Sequence, residues 1–124
     1  MHPTVLPMYA PPATAEQPDL QAMDPQSMRE HAAAAVGMLK VLGNEDRLML
    51  LCQLSQRELT VGELEQLTGI TQPTLSQQLA VLRREGLVQT RREGKFIWYQ
   101  LADRRALQLM QCLHQLFCPP GNDT

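Results

Sequence analysis

Between Thr60 and Leu101 the chain reads TVGELEQLTGITQPTLSQQLAVLRREGLVQTRREGKFIWYQL, and this stretch constrains the fold more than any other. Glu63 follows Thr60 at the spacing of a capping box, in which each side chain satisfies a backbone N–H at a helix start. Leu64 and Leu67 supply an apolar face, and Gly69 ends the helix where positive φ is tolerated. Ile70 is the apolar residue of the turn. Thr71 can cap a second helix, with Pro73 in its first turn, where a missing N–H does no harm. Leu75, Leu79 and Leu82 recur at i, i+4 and i+7 and turn toward a core.

The other face of that second helix carries Gln72, Thr74, Ser76, Gln77 and Gln78, hydrogen-bonding groups without net charge. Base edges in a major groove are read by such donors and acceptors. After Gly86 the pattern changes from helical to alternating. Leu87–Arg92 and Lys95–Leu101 read as strands, with Glu93-Gly94 as the two-residue turn between them. Arg91, Arg92 and Lys95 cluster at the tip, where basic side chains can neutralise backbone phosphates. Helix, turn, helix and basic hairpin together form the plan of a winged helix-turn-helix, with the order α1-α2-α3-α4-β-β-α5. This plan makes duplex DNA the expected partner.

The formal net charge of −2 does not suggest a nucleic-acid binder, but the distribution of charge does. From Thr71 to Arg105 seven basic residues (Arg83, Arg84, Arg91, Arg92, Lys95, Arg104, Arg105) face three acids (Glu85, Glu93, Asp103), a local +4. The first thirty residues carry four acids and one base, a local −3. A basic face on an acidic chain is enough for DNA, and a dimer doubles it. No apolar run approaches bilayer-spanning length, so no membrane partner is expected. The N-terminus lacks the pattern of a secretory signal, which makes the cytoplasm, with its reduced thiols, the expected compartment.

Residues 1–24, with Pro3, Pro7, Pro11, Pro12 and Pro18, read as a disordered tail, and 119–124 as a short C-terminal one. Residues 25–118 form the expected DNA-binding and dimerisation domain. Asp24-Pro25 starts a helix running to about Leu42, and Gly43-Asn44 breaks it. Glu45–Leu54 is the next helix, with Leu48, Leu51 and Cys52 on or near one face. The last helix follows Asp103, its candidate N-cap, and ends near Cys118 before Pro119-Pro120-Gly121. The first helix, through Ala32–Val36, Met38, Leu39 and Val41, exceeds the apolar content of one modest core face. So does the last, through Leu107, Met110, Leu113, Leu116 and Phe117. The pair is the candidate interface of a homodimer.

The three cysteines are Cys52, Cys112 and Cys118. Cys52 lies among leucines in mid-helix. Cys118 ends a helix, a position open to reagents, with His114 one turn before it. Cys112 reads as packing in an apolar helix. No catalytic constellation, resident metal or cofactor is expected.

The segment Leu39–Phe117 resembles the ArsR (SmtB/ArsR) family of winged-helix repressors. LKVLGNEDRLMLLCQL and ELTVGELEQLTGITQPTLSQQLAVLRREGLVQTRREGKFIWYQLAD carry the resemblance. One branch of that family holds a metal through a Cys-x-Cys in an ELCVCDL-like segment. Here Thr60 and Gly62 stand at those positions, and Arg105 follows Asp103 where another branch places a His ligand. LMLLCQL at Cys52 and HQLFCPP at Cys118 are instead similar to the BigR/SqrR/HlyU branch, which senses persulfides or oxidants. That resemblance implies a repressor of a pseudo-palindromic operator with reactive sulfur species as inducer, controlling sulfide or reactive-sulfur detoxification genes. It also implies a switch in which Cys52 and Cys118 close into a disulfide or polysulfide bridge that lowers DNA affinity.

Three other readings stand beside it. A metal or metalloid sensor would use Cys112, His114 and Cys118, although positions 112 and 114 project to different sides of a helix. A thiol-dependent redox enzyme would need a base or anion-binding loop beside a cysteine, and none is legible. An interaction module that kept the fold without binding DNA would lack salt-dependent operator affinity.

Overall fold

The computed structural model describes residues 24–118, so the two expected tails, apart from Asp24, lie outside the described residues. The helices are α1 (Pro25–Leu42), α2 (Glu45–Leu54), α3 (Val61–Thr68), α4 (Thr74–Arg84) and α5 (Arg104–Phe117). The strands are β1 (Leu59–Thr60), β2 (Val88–Glu93) and β3 (Phe96–Leu101). The chain divides into two compact units between Ala33 and Ala34. In the first, Asp24 caps α1 by accepting the Ser27 N–H at 2.7 Å. The second holds every element after α1.

Short local signals place the helix ends. Thr60 accepts the Glu63 N–H at 3.2 Å while Glu63 accepts the Thr60 N–H at 3.0 Å, so the expected capping box is closed. Gly69 ends α3 at φ +77°, a conformation that favours glycine. Asp103 accepts the N–H groups of Arg105 and Ala106 at the start of α5.

The start of α4 differs from expectation. Thr71 does not cap it with its side chain: the helix begins at Thr74, with Pro73 as the cap residue. A proline disfavours helical backbone at the residue before it, which keeps Gln72 outside the helix. The Gln72 side chain replaces the missing cap, its Oε1 accepting the Ser76 N–H at 3.1 Å and the Ser76 hydroxyl at 2.7 Å.

The hairpin also shifts by one residue. Glu93 pairs with Phe96, so the two-residue loop is Gly94-Lys95 rather than Glu93-Gly94. Gly94 takes φ +63°, and glycine at the first loop position is what a type II′ turn requires. A further strand joins the wing: β1 pairs antiparallel with β3, giving the order β1-β3-β2 with Leu59 opposite Tyr99 and Thr60 opposite Trp98.

The core collects Leu50, Leu51 and Leu54 of α2, Leu59, Leu64, Ile70, and Leu75, Leu79 and Leu82 of α4. Leu87, Val88, Ala106 and Met110 complete it with Val41 and Leu42. Leu67, expected beside Leu64 on the inner face, is exposed. Leu51 and Leu75 are wholly enclosed. Truncating Leu51 to alanine is expected to destabilise the fold by about 2–5 kcal/mol in denaturant titration, as enclosed leucines do when a cavity is left.

Candidate functional site

Two surfaces carry chemistry: the α4–wing face and a cleft between α2 and α5. On α4 the leucines point inward and place the polar residues opposite. Ser76 and Gln77 are exposed and Thr74 is half-buried. Gln77 makes no side-chain hydrogen bond among the described residues, whereas Gln72 and Ser76 hold each other. Gln78, expected on the same reading face, is half-buried and accepts a hydrogen bond from Arg47 Nη1 at 2.9 Å.

The three basic residues of the wing do not have equal freedom. Arg91 donates through Nε and Nη2 to the two carboxylate oxygens of Glu58 at 2.8 and 2.9 Å. It also lies 3.4 Å from Glu93 and 5.5 Å from the centroid of the Trp98 ring. The hydrogen bond from Arg91 holds the Glu58 carboxyl below its usual range, against an opposing effect of burial. Arg92 is exposed and makes no ion pair among the described residues, and Lys95 is exposed over the ring of Phe96 at 5.6 Å. In the sequence Arg83 and Arg84 are legible only as charge. Both line a cleft with Ser76 and Tyr99 at the end of α4, which adds cations to the same face.

The second surface is a cleft of about 390 Å³ lined by Leu48, Met49 and Cys52 of α2, by Met110, Leu113, His114 and Phe117 of α5, and by Cys118. The structure thus brings Cys52 and Cys118, sixty-six positions apart in sequence, to one wall-to-wall space. Cys52 is half-buried and Cys118 exposed, and all three cysteines are free thiols. Burial pushes the Cys52 thiol up, and the nearby charge of Cys118 pushes it further in the same direction. His114 also borders a neighbouring cleft with Cys52, Ser55 and Gln56. Cys112 is exposed and lines neither space, so the metal-sensor set of Cys112, His114 and Cys118 is not assembled. Among the described residues no group of three His, Cys, Asp or Glu side chains is placed to hold a metal ion. The other cleft walls were legible in part, since Met110, Leu113, His114 and Phe117 recur at helical spacing.

The sequence model of the bacterial regulatory protein, arsR family, matches residues 44–90. A biofilm growth-associated repressor of Agrobacterium fabrum is 50% identical over 94 residues, which cover 76% of this chain and 80% of the relative. The chain belongs to the ArsR family. The structure of reduced HlyU from Vibrio cholerae superposes on this ArsR regulator with a TM-score of 0.73 at 44% identity, covering 76% of this chain and 99% of the other. A homodimeric winged helix-turn-helix domain from Mycobacterium bovis, described as a possible ArsR-family regulator, superposes with a TM-score of 0.59. It is 32% identical, over 76% of this chain and 85% of its own. This ArsR chain is therefore a transcriptional regulator with a DNA-binding winged helix-turn-helix. Among its described residues no helix is long and apolar enough to cross a membrane.

Proposed function

We propose that the protein is a homodimeric repressor whose grip on operator DNA is released when Cys52 and Cys118 are joined through sulfur. The observation that carries this reading is the shared cleft of the two thiols, one on α2 and one at the end of α5, on either side of the DNA-binding unit in sequence. Repression is supported by the name of the Agrobacterium fabrum relative, and dimerisation by the homodimer from Mycobacterium bovis.

Exposure favours Cys118 as the first thiol to react. Its thiolate attacks the sulfane sulfur of a persulfide RSSH, forming Cys118–SSH and expelling the thiolate RS⁻. The Cys52 thiolate then attacks the Cys118 sulfur and expels HS⁻, leaving a disulfide. If a second RSSH first extends Cys118–SSH by one sulfur, attack on the middle sulfur expels HS⁻ and leaves a trisulfide. A direct disulfide needs Cα atoms within about 7 Å, and an inserted sulfur relaxes that limit. Such a bridge need favour a DNA-incompetent geometry by only about 1–3 kcal/mol to change affinity several-fold or more. A response to sulfur species fits control of sulfide-detoxification genes.

In the reduced form α4 of each subunit enters one of two successive major grooves of a pseudo-palindromic site, and Thr74, Ser76 and Gln77 reach base edges. Arg92 and Lys95 contact phosphate, whereas Arg91 is already neutralised by Glu58. In a titration of affinity against salt, Arg92→Ala and Lys95→Ala are each expected to reduce the slope by about 0.9 per subunit bound. Arg91→Ala should leave the slope unchanged. A slope that falls for Arg91→Ala as it does for Arg92→Ala contradicts this division of the wing. The function as a whole is tested by measuring how tightly the reduced and persulfide-treated protein bind a duplex selected from a random library.

A further inference from the structure

Arg47 ties three helices together with one side chain. It lies in the first turn of α2, where its N–H donates to the Asn44 cap at 3.0 Å. Its guanidinium reaches back to the end of α1: Nε donates to the Val41 carbonyl at 2.7 Å and Nη2 to the Lys40 carbonyl at 3.3 Å. Nη1 donates to Oε1 of Gln78, in the middle of α4, at 2.9 Å.

The last carbonyls of a helix have no partner inside it, and the negative end of the helix dipole favours a cation there. The arginine is thus held without a carboxylate, and it makes no ion pair among the described residues. A guanidinium is planar and its donors point in fixed directions. Rolling α4 about its axis, or sliding it along α1 and α2, breaks at least one of these bonds. Bidentate recognition of adenine needs the amide oxygen and nitrogen of a glutamine together at the base edge. The Gln78 oxygen is engaged by the arginine instead, and the residue is half-buried.

We propose that Arg47 is a positioning residue for DNA recognition. Acting through Gln78, it sets the angle at which α4 presents Thr74, Ser76 and Gln77. The same residue connects α2, the helix of Cys52, to α4. This inference rests on α4 being the DNA-reading helix, as proposed above.

The test uses the full-length reduced protein with two duplexes: one selected by the parent from a random-sequence library, and a scrambled duplex of the same composition. The readout is the ratio of the two affinities, which loss of folded protein alone does not move. Arg47→Met and Gln78→Leu are each expected to lower that ratio about tenfold, and the double variant no further than either, because one bond can be lost only once. A double variant whose loss is the product of the single losses overturns the proposal, as does an unchanged ratio in either single variant.

Should Arg47→Met fail to fold, Gln78→Glu decides. It keeps an acceptor for Arg47 and is expected to hold the ratio near that of the parent, and the ratio cancels the sequence-independent repulsion between the added charge and phosphate. A Gln78→Glu variant that drops with Gln78→Leu assigns Gln78 to base reading and overturns the proposal. A parent that selects no preferred duplex overturns the DNA-reading role of α4 as well, which separates the two failures.

Discussion

Treating the reduced protein with a polysulfide is expected to lower its affinity for the selected duplex by at least about tenfold, the factor that corresponds to 1.4 kcal/mol. Cys52→Ser and Cys118→Ser should each abolish that response and leave the starting affinity intact. Cys112→Ser should respond like the parent, because Cys112 lies outside the cleft that the other two share. The rate should rise with pH. Cys52 must lose its proton to close the bridge, and burial holds its thiol above the ordinary range. Closure is therefore expected to speed up as pH rises and the Cys52 thiolate becomes available. Fluorescence anisotropy reads the affinity, and mass spectrometry of alkylated peptides reads which thiols pair and how many sulfurs lie between them. A Cys52→Ser or Cys118→Ser protein that still released DNA like the parent would refute the switch.

The parts of this site that were legible in sequence are those set by neighbours along the chain. Thr60 and Glu63 announce their capping box, Asp103 its cap, and Leu75, Leu79 and Leu82 their inward face, because each depends on residues within about two turns. The local errors come from competition between signals. Thr71 has the chemistry of a cap, but Pro73 moves the helix start beyond it and Gln72 takes over its work. Glu93-Gly94 has the composition of a hairpin turn, yet the ladder continues through Glu93, and glycine is needed at the first loop position. β1 is two residues long and shows no alternation to detect.

What sequence could not supply is the long-range partner. Nothing near Arg91 indicates that Glu58, thirty-three positions away, will occupy its guanidinium. Nothing near Gln78 points to Arg47, thirty-one positions away. Both pairs change the reading of residues whose type had suggested DNA contact. In each case a polar group expected to face outward is satisfied within the protein: Gln78 is itself half-buried, where polar groups generally find partners, and Arg91 is exposed but meets the half-buried Glu58.

Replacing Leu116 with glutamate is expected to convert the protein from dimer to monomer at micromolar concentration. α5 divides its apolar residues between two tasks. Ala106 and Met110 are in the core, and Leu109 and Leu113 pack against it, so Met110 serves the monomer rather than the expected interface. Leu116 and Phe117 are 65% and 76% exposed, as Leu39 of α1 is at 58%. A monomer gains nothing from leaving such side chains in water, and in the proposed homodimer a second copy covers them. Burying one leucine contributes about 1.5–3 kcal/mol, and a two-fold interface contains each residue twice. Losing both copies therefore removes roughly 3–6 kcal/mol, or about two to four powers of ten in the dimer dissociation constant. Leu116 does not line the thiol cleft, so the change leaves Cys52 and Cys118 in place and separates assembly from sensing. Leu39→Glu should act in the same direction from α1. Each monomeric variant should keep the parent's far-ultraviolet circular dichroism but lose preference for a palindromic duplex over a half-site, since one α4 then reads one groove. Sedimentation equilibrium decides the matter: variants of both helices that remain dimeric would place the interface elsewhere on the molecule.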